Sequence, residues 1–186
     1  MNRWALGLLA GLTVGLAAGC GEAQPLKDQP APALKLPLLG GGELSTADLK
    51  DKNVVILDFW ATWCPPCRRA LPVLAEVAQA FKDRGVAFYA VNLREDEKTI
   101  RDYLEKAKLQ VTVALDKDGK AAGLYQVEGI PQSVIIGKDG LVKQVHVGFL
   151  PNLKETLTKE LEEALGPAAP AAKPAEAAKG PAAGTP

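Results

Sequence analysis

The sequence has few of the residues from which metal centres and nucleic-acid surfaces are built. It contains three cysteines and one histidine in 186 residues, and its 22 lysines and arginines are balanced by 22 aspartates and glutamates. Because nucleic-acid binding needs a basic face, this balance argues against that class of function. A structural zinc site needs ligands beyond one cysteine pair, and the chain has only Cys20 and His146 to add to Cys64 and Cys67. A redox role for that pair is therefore favoured over zinc binding or a purely structural bridge.

The sequence also lacks a hydrophobic run as long as an ordinary membrane span. The run from Trp4 to Ala18 has about 15 residues and follows the short positive start Met1-Asn2-Arg3, a combination that is typical of a signal peptide. It ends in Leu16-Ala17-Ala18-Gly19-Cys20, which resembles a bacterial lipoprotein processing site. The N-terminal sequence therefore predicts export and attachment of lipid to Cys20.

These features predict the organisation of the chain. Residues 1–19 are expected to be a lipoprotein-type signal peptide, and Cys20 to be the lipidated N-terminus of an extracytoplasmic, membrane-anchored protein of the bacterial cell envelope. An uncleaved anchor and an ordinary secretory signal are the alternatives, and all three place the domain outside the cytoplasm. The polar, proline-bearing residues 20–33 predict a tether. Residues 34–165 are expected to form one domain, and the Ala/Pro-rich residues 166–186 a disordered tail.

One stretch carries a cysteine pair in a loop between a strand and a helix. The apolar run Val54 to Trp60 predicts a buried strand, and Cys64-Pro65-Pro66-Cys67 follows it. Pro65 suits the first position of a helix, which places Cys64 at the positive end of the helix dipole, where its thiolate is stabilised. Cys67 lies one turn further on. Cys64 is therefore predicted to be the nucleophile and Cys67 the resolving thiol.

The two prolines of this loop also bear on the direction of the reaction. Proline has no N–H group, so the N–H of Cys67 is the main donor left for the sulfur of Cys64. A thiolate with so few donors is weakly stabilised, and we therefore expect a reducing rather than a strongly oxidising couple. No organic cofactor and no metal are implied, because the cysteine pair is itself the redox centre.

Strand and helix patterns alternate around the cysteines. The predicted strands cover 54–60, 86–91, 111–115, 132–136 and 141–147, and the predicted helices cover 64–84, 96–108, 121–125 and 151–165. Ahead of them, Gly40-Gly41-Gly42 between two short apolar segments predicts a hairpin. The alternation predicts an α/β fold with a mixed central sheet flanked by helices on both faces.

Asp58 interrupts the apolar run that leads to the cysteines. A carboxyl group in a strand buried on both faces is desolvated, which raises its pKa. The alternative is an aspartate that is simply hydrogen-bonded near a strand end. A functional role is favoured because a perturbed carboxyl beside a reactive pair is typical of active sites.

Several motifs of the domain resemble one known superfamily. Asp58-Phe59-Trp60-Ala61, Trp63-Cys64-Pro65-Pro66-Cys67, Pro72 and Gly129-Ile130-Pro131 resemble the thioredoxin superfamily. Within it, the chain is most similar to the TlpA/ResA-like extracytoplasmic thiol–disulfide oxidoreductases, over roughly residues 34–165. The resemblance implies a thioredoxin-like fold with an N-terminal β-hairpin extension.

The resemblance also assigns roles to individual residues. It implies that Asp58 moves protons to and from the resolving thiol, and that the Ile130–Pro131 bond is cis and faces the cysteines. It further implies that the substrate is bound by Trp63, Ile130 and Pro131. Some ResA-like proteins carry a glutamate three residues after the second cysteine. Ala70 stands there in this chain, so a role that depends on that acid is not carried over.

The function implied is the reduction of disulfides in extracytoplasmic proteins, for example in cytochrome c maturation, with re-reduction by a membrane-embedded thiol reductant. Two alternatives stay open. One is an oxidase or isomerase of the same fold, and the other is a non-catalytic binding or metal-delivery lipoprotein in which His146 would join the cysteines. A peroxidase of the peroxiredoxin type is disfavoured, because the residues from Phe59 to Cys64 do not supply its P-x-x-x-T/S-x-x-C arrangement.

Overall fold

The computed structural model describes residues 26–166. Its strands are β1 (Lys35–Pro37), β2 (Glu43–Ser45), β3 (Val54–Trp60), β4 (Val86–Leu93), β5 (Val113–Asp116), β6 (Gln132–Ile136) and β7 (Val142–Val147). Its α-helices are α1 (Thr46–Leu49), α2 (Pro65–Ala80), α3 (Glu97–Ala107), α4 (Lys120–Leu124) and α5 (Leu153–Leu165), and a 3₁₀ turn covers Lys82–Arg84.

Five strands form the central sheet in the order β5-β4-β3-β6-β7, and β1 and β2 form a separate antiparallel pair. β3 is parallel to β4, and β4 is parallel to β5, whereas β6 runs antiparallel to both β3 and β7. All residues of β3 are buried, as expected of a central strand with a nearly continuous apolar run. The predicted mixed sheet is confirmed, and its central strand leads into the cysteine loop.

Helices cover both faces of the sheet, as predicted. On one face, Val54 and Ile56 pack with residues of α2 and α5, and Trp60 packs with residues of α2 and α3. On the other face, Val55 and Leu57 pack with the β1–β2 hairpin and α4. Because successive residues of a strand point to opposite faces, β3 supplies the centre of both cores.

The β1–β2 hairpin reaches the outer edge of β5. Leu36 and Leu44 are opposite one another in the hairpin and are both buried in the core. Gly41 has a φ of 91° in the turn, a conformation that glycine adopts without steric cost. Next to the turn, the N–H of Leu39 donates to the carbonyl oxygen of Val113 over 2.9 Å. The predicted N-terminal hairpin extension is confirmed.

Residues 26–33 run along the outer edge of β7, and we call them the β7 strap. The N–H of Asp28 donates to the carbonyl oxygen of Val142 over 2.8 Å, and the N–H of Val142 donates to the carbonyl oxygen of Gln29 over 2.9 Å. The side chain of Leu26 is buried in the same core as the hairpin. The strap is therefore part of the folded domain.

The strap corrects one predicted boundary. The polar composition of residues 20–33 predicts a tether, with the domain beginning at residue 34, and this is wrong for residues 26–33. Backbone groups of a polar segment pair with an open sheet edge whatever the side chains are, so composition does not reveal the pairing. The hydroxyl of Tyr125 also donates to the carbonyl oxygen of Pro32 over 2.8 Å, a contact between residues distant in sequence.

Other parts of the predicted organisation lie outside the described residues. These are the signal peptide over residues 1–19, the lipidated Cys20 and residues 167–186 of the tail, and they stay predictions. Across residues 26–166, every helix is too short or too polar to span a bilayer.

Candidate active site

The disulfide between Cys64 and Cys67 lies at the start of α2, just after β3. Cys64 caps the N-terminus of the helix, and Pro65 is its first residue. The two cysteines are only 2% and 0% exposed, whereas Trp63 beside them is 67% exposed. The tryptophan, rather than the sulfur atoms, therefore forms the outer surface of the loop.

The hydrogen bonds of the loop follow from its two prolines. The N–H of Cys67 points at Sγ of Cys64 over 3.3 Å, and the N–H of Arg68 donates to the carbonyl oxygen of Cys64 over 3.1 Å. Pro65 and Pro66 have no N–H to contribute. Within residues 26–166, Cys67 supplies the one backbone donor to this sulfur, and the positive end of α2 faces it. This arrangement stabilises a thiolate at Cys64.

The loop before β6 lies against Cys64 from the other side. The Ile130–Pro131 peptide bond is cis. The carbonyl oxygen of Ile130 is 3.6 Å from Sγ of Cys64, and the N–H of Gly148 donates to the carbonyl oxygen of Pro131 over 2.7 Å. The fold thus brings Ile130 and Pro131 to the cysteines, and the backbone of Ile130 borders the sulfur that a partner protein must reach.

Asp58 is fully buried in β3, on the face covered by α2. Burial raises the pKa of Asp58 from its usual 3.8 to about 7, and a hydrogen bond from the Ser133 hydroxyl over 2.8 Å opposes only part of this rise. Its second oxygen, Oδ2, has no hydrogen-bond partner in the described part of the chain. A pKa raised in this way suits a group that gains and loses a proton near neutral pH.

A row of polar side chains extends across the sheet from Asp58. Ser133 lies opposite Asp58 in register, and His146 lies opposite Ser133. Nε2 of His146 is 2.8 Å from Oε2 of Glu160 in α5, and both side chains are largely buried. The histidine therefore contacts a carboxylate, not the cysteines. In residues 26–166, no three side chains of His, Cys, Asp or Glu are grouped so as to hold a metal ion.

Two more buried polar atoms on this face have no hydrogen-bond partner in the described residues, namely Nε1 of Trp60 and Oδ1 of Asn92. Trp60 and Asn92 lie opposite one another on β3 and β4. Buried polar groups are nearly always paired in folded proteins. With Oδ2 of Asp58 included, three buried polar atoms without partners in residues 26–166 lie on this face of the sheet.

Glu95 is the site residue that the sequence analysis does not identify. Its carboxylate accepts hydrogen bonds from the N–H of Thr62 over 2.7 Å, from the hydroxyl of Thr62 over 2.5 Å and from Nδ2 of Asn92 over 2.7 Å. The loop after β4 thereby holds the chain two residues before Cys64. No signal in the sequence indicates this, because Arg94 to Glu97 is a run of charges that reads as a solvated surface.

Comparison with protein families and known sequences agrees with this geometry. A model of the AhpC/TSA family matches residues 28–145. The thiol-disulfide oxidoreductase ResA of Bacillus cereus is 36% identical over 118 residues, which cover 63% of this chain and 68% of the relative. ResA of Geobacillus kaustophilus is 33% identical over 132 residues, which cover 71% of this chain and 74% of the relative.

The fold is also similar to solved structures. The crystal structure of a putative thiol:disulfide interchange protein DsbE from Chlorobium tepidum is 37% identical in sequence and superposes with a TM-score of 0.70. The match covers 75% of this chain and 98% of that protein. The thioredoxin-like fold expected from the sequence is thereby confirmed.

Proposed function

Since the chain belongs to the AhpC/TSA family and is a ResA-like thiol–disulfide oxidoreductase, we propose that it reduces disulfide bonds in other proteins outside the cytoplasm. The observation that carries this proposal is the cysteine pair at the N-terminus of α2. The N–H of Cys67 points at Sγ of Cys64, and this sulfur lies 3.6 Å from the carbonyl oxygen of Ile130. The pair is thus placed between a thiolate-stabilising helix end and a backbone segment that can receive a partner chain.

The reaction proceeds by two exchanges. In the reduced enzyme, the Cys64 thiolate attacks one sulfur of the partner's disulfide, the partner's S–S bond breaks, and its other sulfur leaves as a thiolate. The Cys67 thiolate then attacks Sγ of Cys64, the mixed disulfide breaks, and the Cys64–Cys67 bond forms. Two electrons pass to the partner, whose two sulfurs take up protons. The oxidised pair described above is the product state of this sequence.

Asp58 is proposed to accept the proton that Cys67 must lose before it attacks. The carboxyl group lies on the sheet face covered by α2, and Cys67 is in the first turn of that helix. A base whose pKa is about 7 accepts a proton near neutral pH more readily than an ordinary aspartate does. The Ser133 hydroxyl donates to this carboxyl group and by itself lowers its pKa, but the effect of burial is larger, so Asp58 remains a proton acceptor near neutral pH.

The reductive direction is supported by the small number of donors at Cys64. A strongly oxidising cysteine pair is one whose reduced form is more stable than its disulfide, and this requires a well-stabilised thiolate. Here Pro65 and Pro66 remove two N–H groups from the loop, and the N–H of Cys67 is left. A weakly stabilised thiolate favours the disulfide state of the enzyme and hence the transfer of electrons to the partner.

The N-terminal sequence supports the proposed location. A lipid at Cys20 would anchor the domain to the extracytoplasmic face of a membrane, within reach of a membrane-embedded thiol reductant and of targets such as apocytochrome c. Mass spectrometry of the protein from the membrane fraction is expected to find acyl chains on Cys20 and no residues before it. Recovery of an unmodified chain in the soluble periplasmic fraction would refute the anchor.

The first test is the reduction potential of the Cys64–Cys67 couple, measured by equilibration against glutathione or dithiothreitol. The full chain carries Cys20→Ser, so that one cysteine pair remains. A potential of about −270 to −230 mV is expected for a reductase, whereas a value near about −120 mV would indicate an oxidase.

A second experiment traps the reaction intermediate. Cys67→Ser is expected to accumulate a mixed disulfide with a disulfide-bearing peptide. The matched Cys64→Ser variant is expected to form none, and adduct formation by both variants would contradict the assigned roles.

A further inference from the structure

Two arginines directly follow the cysteine pair, and the chemistry proposed above makes no use of them. Arg68 and Arg69 are both exposed, and α2 has no acidic residue in its first turn. In residues 26–166, neither arginine takes part in a salt bridge. The positive end of the helix dipole adds to their charge. The surface beside the disulfide is therefore electropositive.

Arg69 is held in place on the side of the disulfide that borders the cis-proline loop. Its guanidinium carbon lies 5.0 Å from the centre of the Phe149 ring, a stacking distance for a cation on an aromatic face. Phe149 follows Gly148, whose N–H is bonded to the carbonyl oxygen of Pro131. A guanidinium that stacks by its face keeps the N–H groups at its edge free to bind an anion. Arg69 follows Cys64 by five positions, so their Cα atoms are about 7.5 Å apart along the axis of the helix.

Within residues 26–166, no carboxylate forms an ion pair with Arg69. Of the acidic residues close to the disulfide in sequence, Asp58 is buried and Glu76 is paired with Lys154. Glu128 is exposed just before the cis-proline loop. Glu95 is engaged by Thr62 and Asn92 on the other side of the loop. Charge complementarity thus points to an anionic group on whatever binds at Arg69.

The same surface offers apolar contacts on both sides of the disulfide. Trp63 is 67% exposed and Val147 is 60% exposed. Val147 lies beside the cis-proline loop, because a Cβ atom placed on Gly129 would be 3.8 Å from Cγ1 of Val147. Two exposed apolar side chains that flank a reactive sulfur fit a polypeptide partner better than a small thiol.

We propose that Arg69, assisted by Arg68, is an anion subsite for the partner polypeptide, so that the preferred substrates carry a carboxylate side chain close to the disulfide. This inference rests on the proposed function and narrows its substrate class. The edge of a guanidinium binds a carboxylate through two parallel N–H···O bonds. The subsite takes no part in electron transfer, since it holds the partner while Cys64 attacks.

The test compares three peptides that contain the same disulfide and differ only in two flanking positions, which are glutamate, glutamine or lysine. The pre-reduced full chain with Cys20→Ser is mixed with each peptide, and the single-turnover rate is followed by tryptophan fluorescence. The glutamate peptide is expected to react about fivefold faster than the lysine peptide at low ionic strength. Raising the salt to about 0.5 M should shrink this ratio, because exposed charges are screened.

Two variants locate the effect. Arg69→Gln is expected to lower the glutamate-to-lysine ratio to about twofold, and Arg69→Lys to give an intermediate ratio because it keeps the charge without the planar fork. The matched control is Arg84→Gln. Arg84 stacks on Phe81 at 4.8 Å but lies beyond the far end of α2, so its removal should leave the ratio unchanged. Each glutamate-to-lysine ratio compares two peptides reduced by the same variant, so a change in the intrinsic reactivity of Cys64 affects both rates equally and leaves the ratio unchanged.

The outcomes separate this inference from the function on which it rests. If the protein that keeps Arg69 reduces the glutamine peptide but reduces the glutamate and lysine peptides at equal rates, the subsite is refuted and the reductase proposal stands. The subsite is also refuted if Arg69→Gln leaves the ratio unchanged or if Arg84→Gln lowers it equally. If none of the three peptides is reduced, the reductase proposal fails and the subsite fails with it.

Discussion

Successive residues of β3 point alternately toward two cores that differ in their polar content. Toward the hairpin, Phe59 packs on Tyr125 with ring centres 5.5 Å apart, and the Tyr125 hydroxyl has a hydrogen-bond acceptor. Toward α2, Asp58 and Trp60 each keep a polar atom without a partner, and Asn92 on β4 keeps another. Within residues 26–166, all buried side-chain nitrogen and oxygen atoms that lack partners lie on the α2 side.

The comparison shows that burial and satisfaction of polar groups are independent properties of a core. Both sides of β3 exclude water, yet an unpaired buried polar group destabilises a protein by about 1–3 kcal/mol. The hairpin side avoids this cost, whereas the α2 side carries it next to the cysteines. Among the described residues, the hairpin side is thus without unpaired polar groups, whereas the α2 side, which contains Asp58, holds all three. Four substitutions test this division.

Phe59→Ala is expected to have the largest effect on the hairpin side. Removing a buried aromatic ring leaves a cavity, so the free energy of unfolding should fall by about 4 kcal/mol in urea denaturation at pH 7. The reduction potential of the cysteine pair should stay unchanged. Phe59→Leu is the control, with a smaller loss of stability. A potential that shifts together with stability would show that the two sides are not separable.

Asp58→Asn tests the α2 side through pH. The pKa of Asp58 is about 7 in the folded protein and 3.8 in the unfolded chain. The stability it contributes is therefore fully present below about pH 4 and is lost as the pH rises through 7. Asparagine does not ionise and keeps an acceptor for Ser133. In the oxidised state, the variant should match the parent at pH 4 and be more stable at pH 8, by up to about 4 kcal/mol. A difference between the two proteins that is independent of pH would contradict the assignment.

Glu95→Ala tests the contacts between the α2 side of the sheet and the active-site loop. The substitution removes the acceptor for the N–H and hydroxyl of Thr62 and for Nδ2 of Asn92, so unfolding should become easier by about 2 kcal/mol. The amide of Thr62 should lose protection in hydrogen exchange. The exposed Glu128 provides the control, and Glu128→Ala should change neither quantity. Unaltered exchange at Thr62 would rule out the positioning role of Glu95.

Tyr125→Phe is expected to have the smallest effect. The ring keeps its packing on Phe59, but the carbonyl oxygen of Pro32 in the strap loses its hydrogen-bond donor. The free energy of unfolding should fall by about 1 kcal/mol, with no change in the reduction potential. Equal stability of the variant and the parent would mean that water replaces the hydroxyl and that this side depends on packing alone.

The sequence predicted the bounds of those strands and helices that have turn-forming residues at both ends. The strand over 132–136 is found at its predicted bounds, because the Gly129-Ile130-Pro131 and Lys138-Asp139-Gly140 segments mark its limits. The cysteine loop and the burial of Asp58 were likewise evident from one continuous stretch. The predicted strand over 86–91 instead continues to Leu93, because the polar Asn92 ends the apolar pattern although the strand goes on.

Features that depend on contacts between distant residues were not predictable. The predicted strand over 111–115 begins at Val113 and includes Asp116, whose carboxylate accepts the N–H groups of Ala121 and Ala122 at the start of α4. These hydrogen bonds join the end of β5 to the first turn of α4, and composition does not show them. The roles of Glu95 and of the strap are of the same kind, because each depends on a partner that only the folded chain brings close.

The strap on β7 and the contact of Leu39 with Val113 on β5 have a joint consequence for self-association. An open sheet edge is a template on which another chain can add a strand, and this is a common route to aggregation. One continuous N-terminal segment blocks both edges of the five-stranded sheet at these points. The residues before β3 therefore leave fewer unpaired backbone groups at the sheet edges for another chain to bind. A chain that lacked them would expose both edges at these points and would also lose Leu26, Leu36 and Leu44 from the core.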